Sequence, residues 1–186
     1  MGALKTFLRA LIGLVAILAA LSLLLPRHAH VERSVVMAAP ASTVFAVIND
    51  LHEFNKWSPW AQIDPATQYT FTGPATGVGA AMAWQSEHPH VGSGSQEIIE
   101  SVPNEHVTTL LRFSDEGDAK STIALAPDAN GTRVTWNFDT DLGFNPLSRY
   151  FGLMLDSMVG SNYEQGLATL KSLVETNNSQ APAPVP

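Results

Sequence analysis

The sequence predicts an α+β domain: a curved antiparallel sheet of about seven strands around a long C-terminal helix, preceded by one transmembrane helix. Three observations carry the prediction. Short β-branched or alternating runs succeed one another between tight turns from Thr67 to Asp139, the pattern of an antiparallel meander. Apolar residues at helical spacing close the chain from Pro146 to Glu175. From Thr6 to Leu25 the only charge is Arg9.

The elements follow in order. Twenty helical residues at 6–25 would span roughly 30 Å, the thickness of a bilayer's hydrocarbon layer. Arg9 lies near one end, where its guanidinium can snorkel outward, and Pro26 stops the helix. A cleaved signal peptide shares the basic start and apolar run, but Leu25-Pro26-Arg27-His28 stands where a small-x-small cleavage site belongs. A retained membrane anchor is therefore expected, ahead of a signal peptide or a buried soluble helix. Lys5 and Arg9 nearly balance Arg27 and Arg33 across the span. The α-amino charge tips the expected orientation towards an extracytoplasmic domain.

Arg33 to Ala38 reads as a first strand, and Pro40 as a helix start where its missing N–H costs nothing. Val44, Phe45, Val47 and Ile48 form a helical stripe, and Leu51 to Trp60 a short helix or turn. Strands are expected at residues 67–72, 79–85, 94–102, 106–114, 119–126 and 132–139. Gly73-Pro74, Pro103-Asn104, Asp115–Asp118 and Asn130-Gly131 are the turns between them. In the last helix Leu147, Phe151, Met154 and Met158 keep helical spacing. Tyr163, Leu167, Leu170 and Val174 resume it after a five-residue step, which predicts a kink or a shift of the buried face. The expected organisation is an anchor and juxtamembrane segment at 1–30, one domain at 31–176 and a disordered Pro-rich tail at 177–186.

Composition excludes several classes. Of the 186 residues 45% are hydrophobic and only 15% charged, against a typical quarter, so part of the apolarity is not ordinary core. The chain has no cysteine, which removes disulfides, thiolate catalysis and thiolate metal sites. Residues 1–30 hold three bases and no acid, whereas the rest is strongly acidic, so nucleic acid is not an expected partner. There is no phosphate loop, dinucleotide fingerprint or Gly-x-Ser-x-Gly. His28-x-His30 and His88-Pro89-His90 could each chelate a metal, but neither has a third ligand at matching spacing, so no metal and no cofactor is expected. For acid–base chemistry the candidates are His52, Glu53, Glu97, Arg112 and Asp139, most of which a solvated role also explains.

With this element order in hand, the sequence resembles the START-like (helix-grip, SRPBCC) superfamily, in its polyketide cyclase/dehydrase-like branch. The resemblance is carried by Val31-Glu-Arg-Ser34, Ala39-Pro40 to Phe45, Asn49-Asp50, Lys56-Trp-Ser-Pro-Trp60 and Asp64-Pro65. It continues through Gly77-Val-Gly79, Gly92-Ser-Gly-Ser95, Gly131 to Trp136, and Met158-Val-Gly to Glu164-Gln-Gly-Leu167. It covers residues 31–175 and implies a seven-stranded sheet gripping the C-terminal helix, with a hydrophobic cavity between them. No catalytic residue can be carried over, because catalytic members share no universal triad.

The implied cavity would be lined by Trp84, Leu111, Phe113, Trp136, Phe138, Phe151, Met154 and Met158, with Trp57 and Trp60 at one end as gate or plug. Ordinary core packing explains the same residues, and methionine suits either role. The expected function is membrane-tethered binding of a hydrophobic, lipid-like or polyketide-like small molecule. A cyclase/dehydrase-type enzyme without metal or nucleotide is one alternative; a protein-interaction or stress-response module is the other. The expectation leans away from catalysis.

Overall fold

The computed structural model describes residues 2–113 and 117–180. The chain runs α1 (Gly2–Ser22), β1 (His28–Met37), α2 (Ala41–Ile48), α3 (Leu51–Trp57), α4 (Pro59–Ile63), β2 (Gln68–Thr72), β3 (Ala81–Gln85), β4 (Ser93–Val102), β5 (His106–Phe113), β6 (Gly117–Asp128), β7 (Gly131–Asp141) and α5 (Pro146–Gln180). The seven strands form one antiparallel sheet in the order β1-β7-β6-β5-β4-β3-β2. The α+β expectation of a sheet gripping a long terminal helix therefore holds.

Local chemistry sets the elements. Asp50 caps α3 by accepting from the His52 N–H at 2.8 Å, and Pro59 occupies the first turn of α4. The register of β4 against β5 shifts between Ile98 and Glu100. Such a bulge adds local twist and bends the sheet around the helix. Gly131 starts β7 at φ +131, with the Met37 carbonyl where a side chain would begin.

Three elements differ from expectation by more than two residues. β1 begins five residues early, at His28, because the polar His28 and His30 still alternate with Ala29 and Val31 and pair along β7. α1 lies over Gly2–Ser22 rather than 6–25. α5 shows no break at Gly160–Asn162 and continues through Asn177–Gln180, so the first four residues of the expected tail are helical; residues 181–186 lie outside the described residues. Asp115 and Glu116 of the expected acidic turn also lie outside them.

The core sits between α5 and the β1-β7-β6 side of the sheet, where Val31, Met37, Val134, Leu170 and Val174 are fully buried. The α5 backbone approaches β1 and the short helices α2, α3 and α4. Its buried row is Arg149, Leu155, Gly160, Tyr163, Gly166, Leu167, Leu170 and Val174, with Gly152 and Val159 half-buried along it. Two ion pairs and a hydrogen bond hold it there: Arg33 reaches Asp156 at 3.0 Å and Glu164 at 2.7 Å, and Lys171 donates to the Val36 carbonyl at 2.7 Å.

Candidate ligand site

Strand register assigns each sheet residue to a face. Partners across an antiparallel pair share a face, and faces alternate along each strand. On the concave face β2 offers Tyr69 and Phe71, β3 Met82 and Trp84, β4 Gly94, Gln96 and Ile98, and β5 Val107, Thr109, Leu111 and Phe113. On β6 and β7 the same face carries Ser121, Ile123, Trp136 and Phe138. Its ionisable strand residues are Arg33 and Tyr69.

The middle of this face is filled by aromatic rings. Trp136 stacks on Tyr163 of α5 with centroids 3.8 Å apart, and Trp57 and Trp60 meet Trp136 edge-on at 5.1 and 6.3 Å. Ser121 ties the stack together: its hydroxyl accepts from Trp136 Nε1 at 2.7 Å and lies 3.3 Å from the Tyr163 hydroxyl. Burial holds the Tyr163 phenol well above its ordinary pKa, so it stays protonated at neutral pH. Of the predicted lining residues, Trp57, Trp136 and Phe138 are thus buried in the interior, with Trp60 half-buried beside them.

The β2–β5 side is different. Trp84, Leu111 and Phe113 are half-buried, as are Tyr69 and Phe71, two concave-face residues that the sequence reasoning did not select. Trp84 meets Phe113 edge-on at 6.0 Å across Gly94. The glycine is required there, because a Cβ would lie 2.6 Å from the Trp84 ring and 2.7 Å from the Arg112 carbonyl. An open pocket of about 470 Å³ lies beside this pair, lined also by Gln85, Ser93, Ser95 and Arg112. A second, of about 260 Å³, opens between Leu51-His52 and the Phe71–Ala81 hairpin, with His52 stacked on Phe71 at 4.0 Å. Gln96, 4% exposed between Met82 and Leu111, has a side-chain Nε2 with no hydrogen-bond partner among the described residues.

The remaining predicted lining residues belong to the first half of α5. Phe151, Met154 and Met158 are 41%, 56% and 45% exposed, off the buried row of the helix.

The acid–base candidates are scattered. Glu97 and Arg112 pair with each other at 3.2 Å on the convex face. Asp139 accompanies His30 at 2.7 Å on that same outer face, and Glu53 pairs with Lys56 on α3. Arg112 adjoins the larger pocket, and His52, 3.1 Å from Asp50, adjoins the smaller. Among the described residues no group of three His, Asp or Glu side chains could hold a metal ion.

A family model described as polyketide cyclase / dehydrase and lipid transport matches residues 28–175, from the first residue of β1 almost to the end of α5. Solved structures share the fold. A protein from Chromobacterium violaceum is 24% identical with a TM-score of 0.53, over 79% of this chain and 98% of its own. The di-domain ARO/CYC StfQ from the steffimycin biosynthetic pathway is 10% identical with a TM-score of 0.61, over 82% of this chain and 52% of its own. A protein of unknown function from Staphylococcus aureus is 13% identical with a TM-score of 0.62, over 82% of this chain and 97% of its own. No curated protein matches the sequence. The extent of the family match settles membership: this chain belongs to the polyketide cyclase/dehydrase and lipid transport family.

Proposed function

We propose that the chain binds an apolar small molecule, lipid-like or polyketide-like, against the β2–β5 side of the concave face, while α1 tethers it to a membrane. One observation carries the reading. Tyr69, Phe71, Trp84, Leu111 and Phe113 are only half-buried, on the part of the sheet that lies away from the β1 edge where α5 packs. Phe151 and Met158 stand uncovered on a shoulder of α5 and would complete the apolar surround. Each 100 Å² of ligand carbon buried there contributes about 2.5 kcal/mol before ordering costs. Trp57, Trp60, Trp136 and Phe138 would serve as the packed floor.

Binding is favoured over cyclase-type catalysis by the chemistry of this face. Its strands carry no carboxylate or imidazole among the described residues. Arg33 is committed to Asp156 and Glu164, and Tyr163 is a neutral phenol inside the aromatic stack. A general acid or base would need a different resident. The family's own description, which joins cyclase chemistry to lipid transport, supports an apolar ligand in either case. For the tether, α1 is long and apolar enough to cross a membrane and none of its apolar window is buried.

The test uses the full chain purified in detergent. Native mass spectrometry is expected to show a co-purifying apolar molecule, and N-phenyl-1-naphthylamine is expected to fluoresce on binding. Trp84→Ala and Phe113→Ala should each weaken that binding severalfold, with Glu53→Gln as the unaffected control. A chain that carries no apolar molecule and leaves the probe dark overturns the reading.

A further inference from the structure

Outside α1, the exposed large apolar side chains are concentrated in one place. Phe144, Leu147 and Leu153 are 71%, 79% and 61% exposed, and Met154 lies beside them, all within the β7–α5 connection and the first turns of α5. Leu23 and Leu24, just past α1, are exposed as well. Scattered exposed leucines are ordinary on a protein surface, but a cluster of this kind is not.

The same turns of α5 hold the end of α1. The Arg149 guanidinium donates to the carbonyls of Ser22, Leu23 and Leu25 at 3.2, 3.1 and 3.4 Å, and the Tyr150 hydroxyl donates to the Leu18 carbonyl at 2.9 Å. The Ser22, Leu23 and Leu25 carbonyls lie at or just past the C-terminus of α1, where intrahelical donors run out and, among the described residues, only the Leu25 N–H reaches back, to Ser22 at 3.1 Å. Phe144 lies under two guanidinium groups, Arg27 at 5.1 Å and Arg149 at 5.6 Å. Arginine and tyrosine gathered at the end of an apolar span are residue types that seat at the headgroup level of a bilayer, and phenylalanine belongs to the apolar face of helices that lie there. On the α5 surface Tyr150 stands between Leu147 and Met154 on one side and Leu153 on the other. The medium that surrounds the end of α1 must therefore also meet these side chains.

We infer that the start of α5 is a second membrane contact, lying in the plane of the headgroup–acyl boundary, with Phe144, Leu147, Leu153 and Met154 immersed in it. This rests on the tether reading of α1 and adds to it. α1 fixes the domain to the membrane, and the α5 contact fixes its tilt, turning the Phe151 and Met158 shoulder towards the layer in which apolar ligands dissolve. Interfacial helices of this type bury their apolar face roughly 5–10 Å into that boundary.

The chain's lack of cysteine makes the test direct. Single cysteines are introduced as Leu147→Cys and Leu153→Cys, with Val15→Cys in α1 and Val78→Cys in the β2–β3 connection as references. Each is labelled with a nitrobenzoxadiazole fluorophore, and the full chain is reconstituted in phosphatidylcholine–phosphatidylglycerol vesicles carrying nitroxide lipids. The expected result is blue-shifted emission at positions 147 and 153, quenched severalfold more than at 78 and most strongly by shallow nitroxides. If position 15 is quenched while 147 and 153 behave like 78, the α5 contact is wrong and the tether stands. If position 15 is not quenched, the tether reading fails and this inference with it.

Discussion

The two sides of the sheet are built on different terms. Under α5, on β1, β7 and β6, Val31, Met37, Val134 and Trp136 are at most 2% exposed, and Trp136, Tyr163 and Ser121 form a stacked and hydrogen-bonded unit. On β2 to β5 the inward face is mixed: Met82, Ile98 and Val107 are buried, whereas Tyr69, Phe71, Trp84, Leu111 and Phe113 are half-covered, and pockets of about 470 and 260 Å³ open beside them. One side is packed tightly enough to fix the frame. The other keeps surface in reserve, at some cost in stability. A fold that binds variable apolar guests needs both, because a site made wholly of packed core has no space and one made wholly of loose surface has no shape.

Mutations can break or sharpen that contrast. The largest effect is expected from Trp136→Ala, which removes the stacking partner of Tyr163 and the donor to Ser121, and should cost about 3–5 kcal/mol in urea unfolding. Trp84→Ala, on the half-covered side, should cost no more than about 2 kcal/mol while sacrificing probe binding. Equal losses from the two tryptophans would erase the distinction. Gly94→Val should overpack the Trp84–Phe113 contact, costing about 1–3 kcal/mol and shifting tryptophan emission.

Gln96→Leu is predicted to act in the opposite sense. Removing a buried donor that has no partner among the described residues should raise stability by about 1 kcal/mol, measured by thermal unfolding. The smallest expected effect comes from the outer face. A hydrogen bond donated to the Asp139 carboxylate holds His30 above its ordinary pKa, which favours the protonated folded form. The resulting stability is fully present below the unfolded value of about 6.5 and is lost as pH rises through the higher folded value. Asp139→Asn should remove that dependence, a fraction of about 1 kcal/mol for so exposed a pair, read from unfolding curves across neutral pH.

The strands were legible because each ends at a turn whose chemistry is local: Gly73-Pro74, Pro103-Asn104 and Asn130-Gly131 mark three hairpins. The aromatic floor was legible in part, since Trp136 and Phe138 alternate with polar residues on β7. The packing face of α5 was legible in its second half, where Tyr163, Leu167, Leu170 and Val174 keep helical spacing and are buried, but not in its first half. Leu147, Phe151, Met154 and Met158 have the spacing of a buried stripe, yet the buried row runs through Gly152, Gly160 and Gly166. At those positions a Cβ would press into Leu142, Arg33 and Trp136 respectively. A helix face made of glycines buries its backbone instead of large side chains, so it leaves no hydrophobic periodicity to read. Tyr69 and Phe71 do alternate with polar residues along β2; what spacing does not show is that they share a face with Trp84 and Met82 on β3.

The 35 residues of α5 form one unbroken rod with two unlike ends. Its later turns hold Tyr163, Leu167, Leu170 and Val174 in the interior, whereas its opening turns bury Arg149 and Leu155 and otherwise lean on α1 through Tyr150. Amide protons along this single helix should therefore exchange with solvent on two clocks, slowly near the carboxyl end and quickly near the amino end. The opening turns could then fray and re-form without unfolding the domain, giving the helix a hinge-like freedom where a guest would pass.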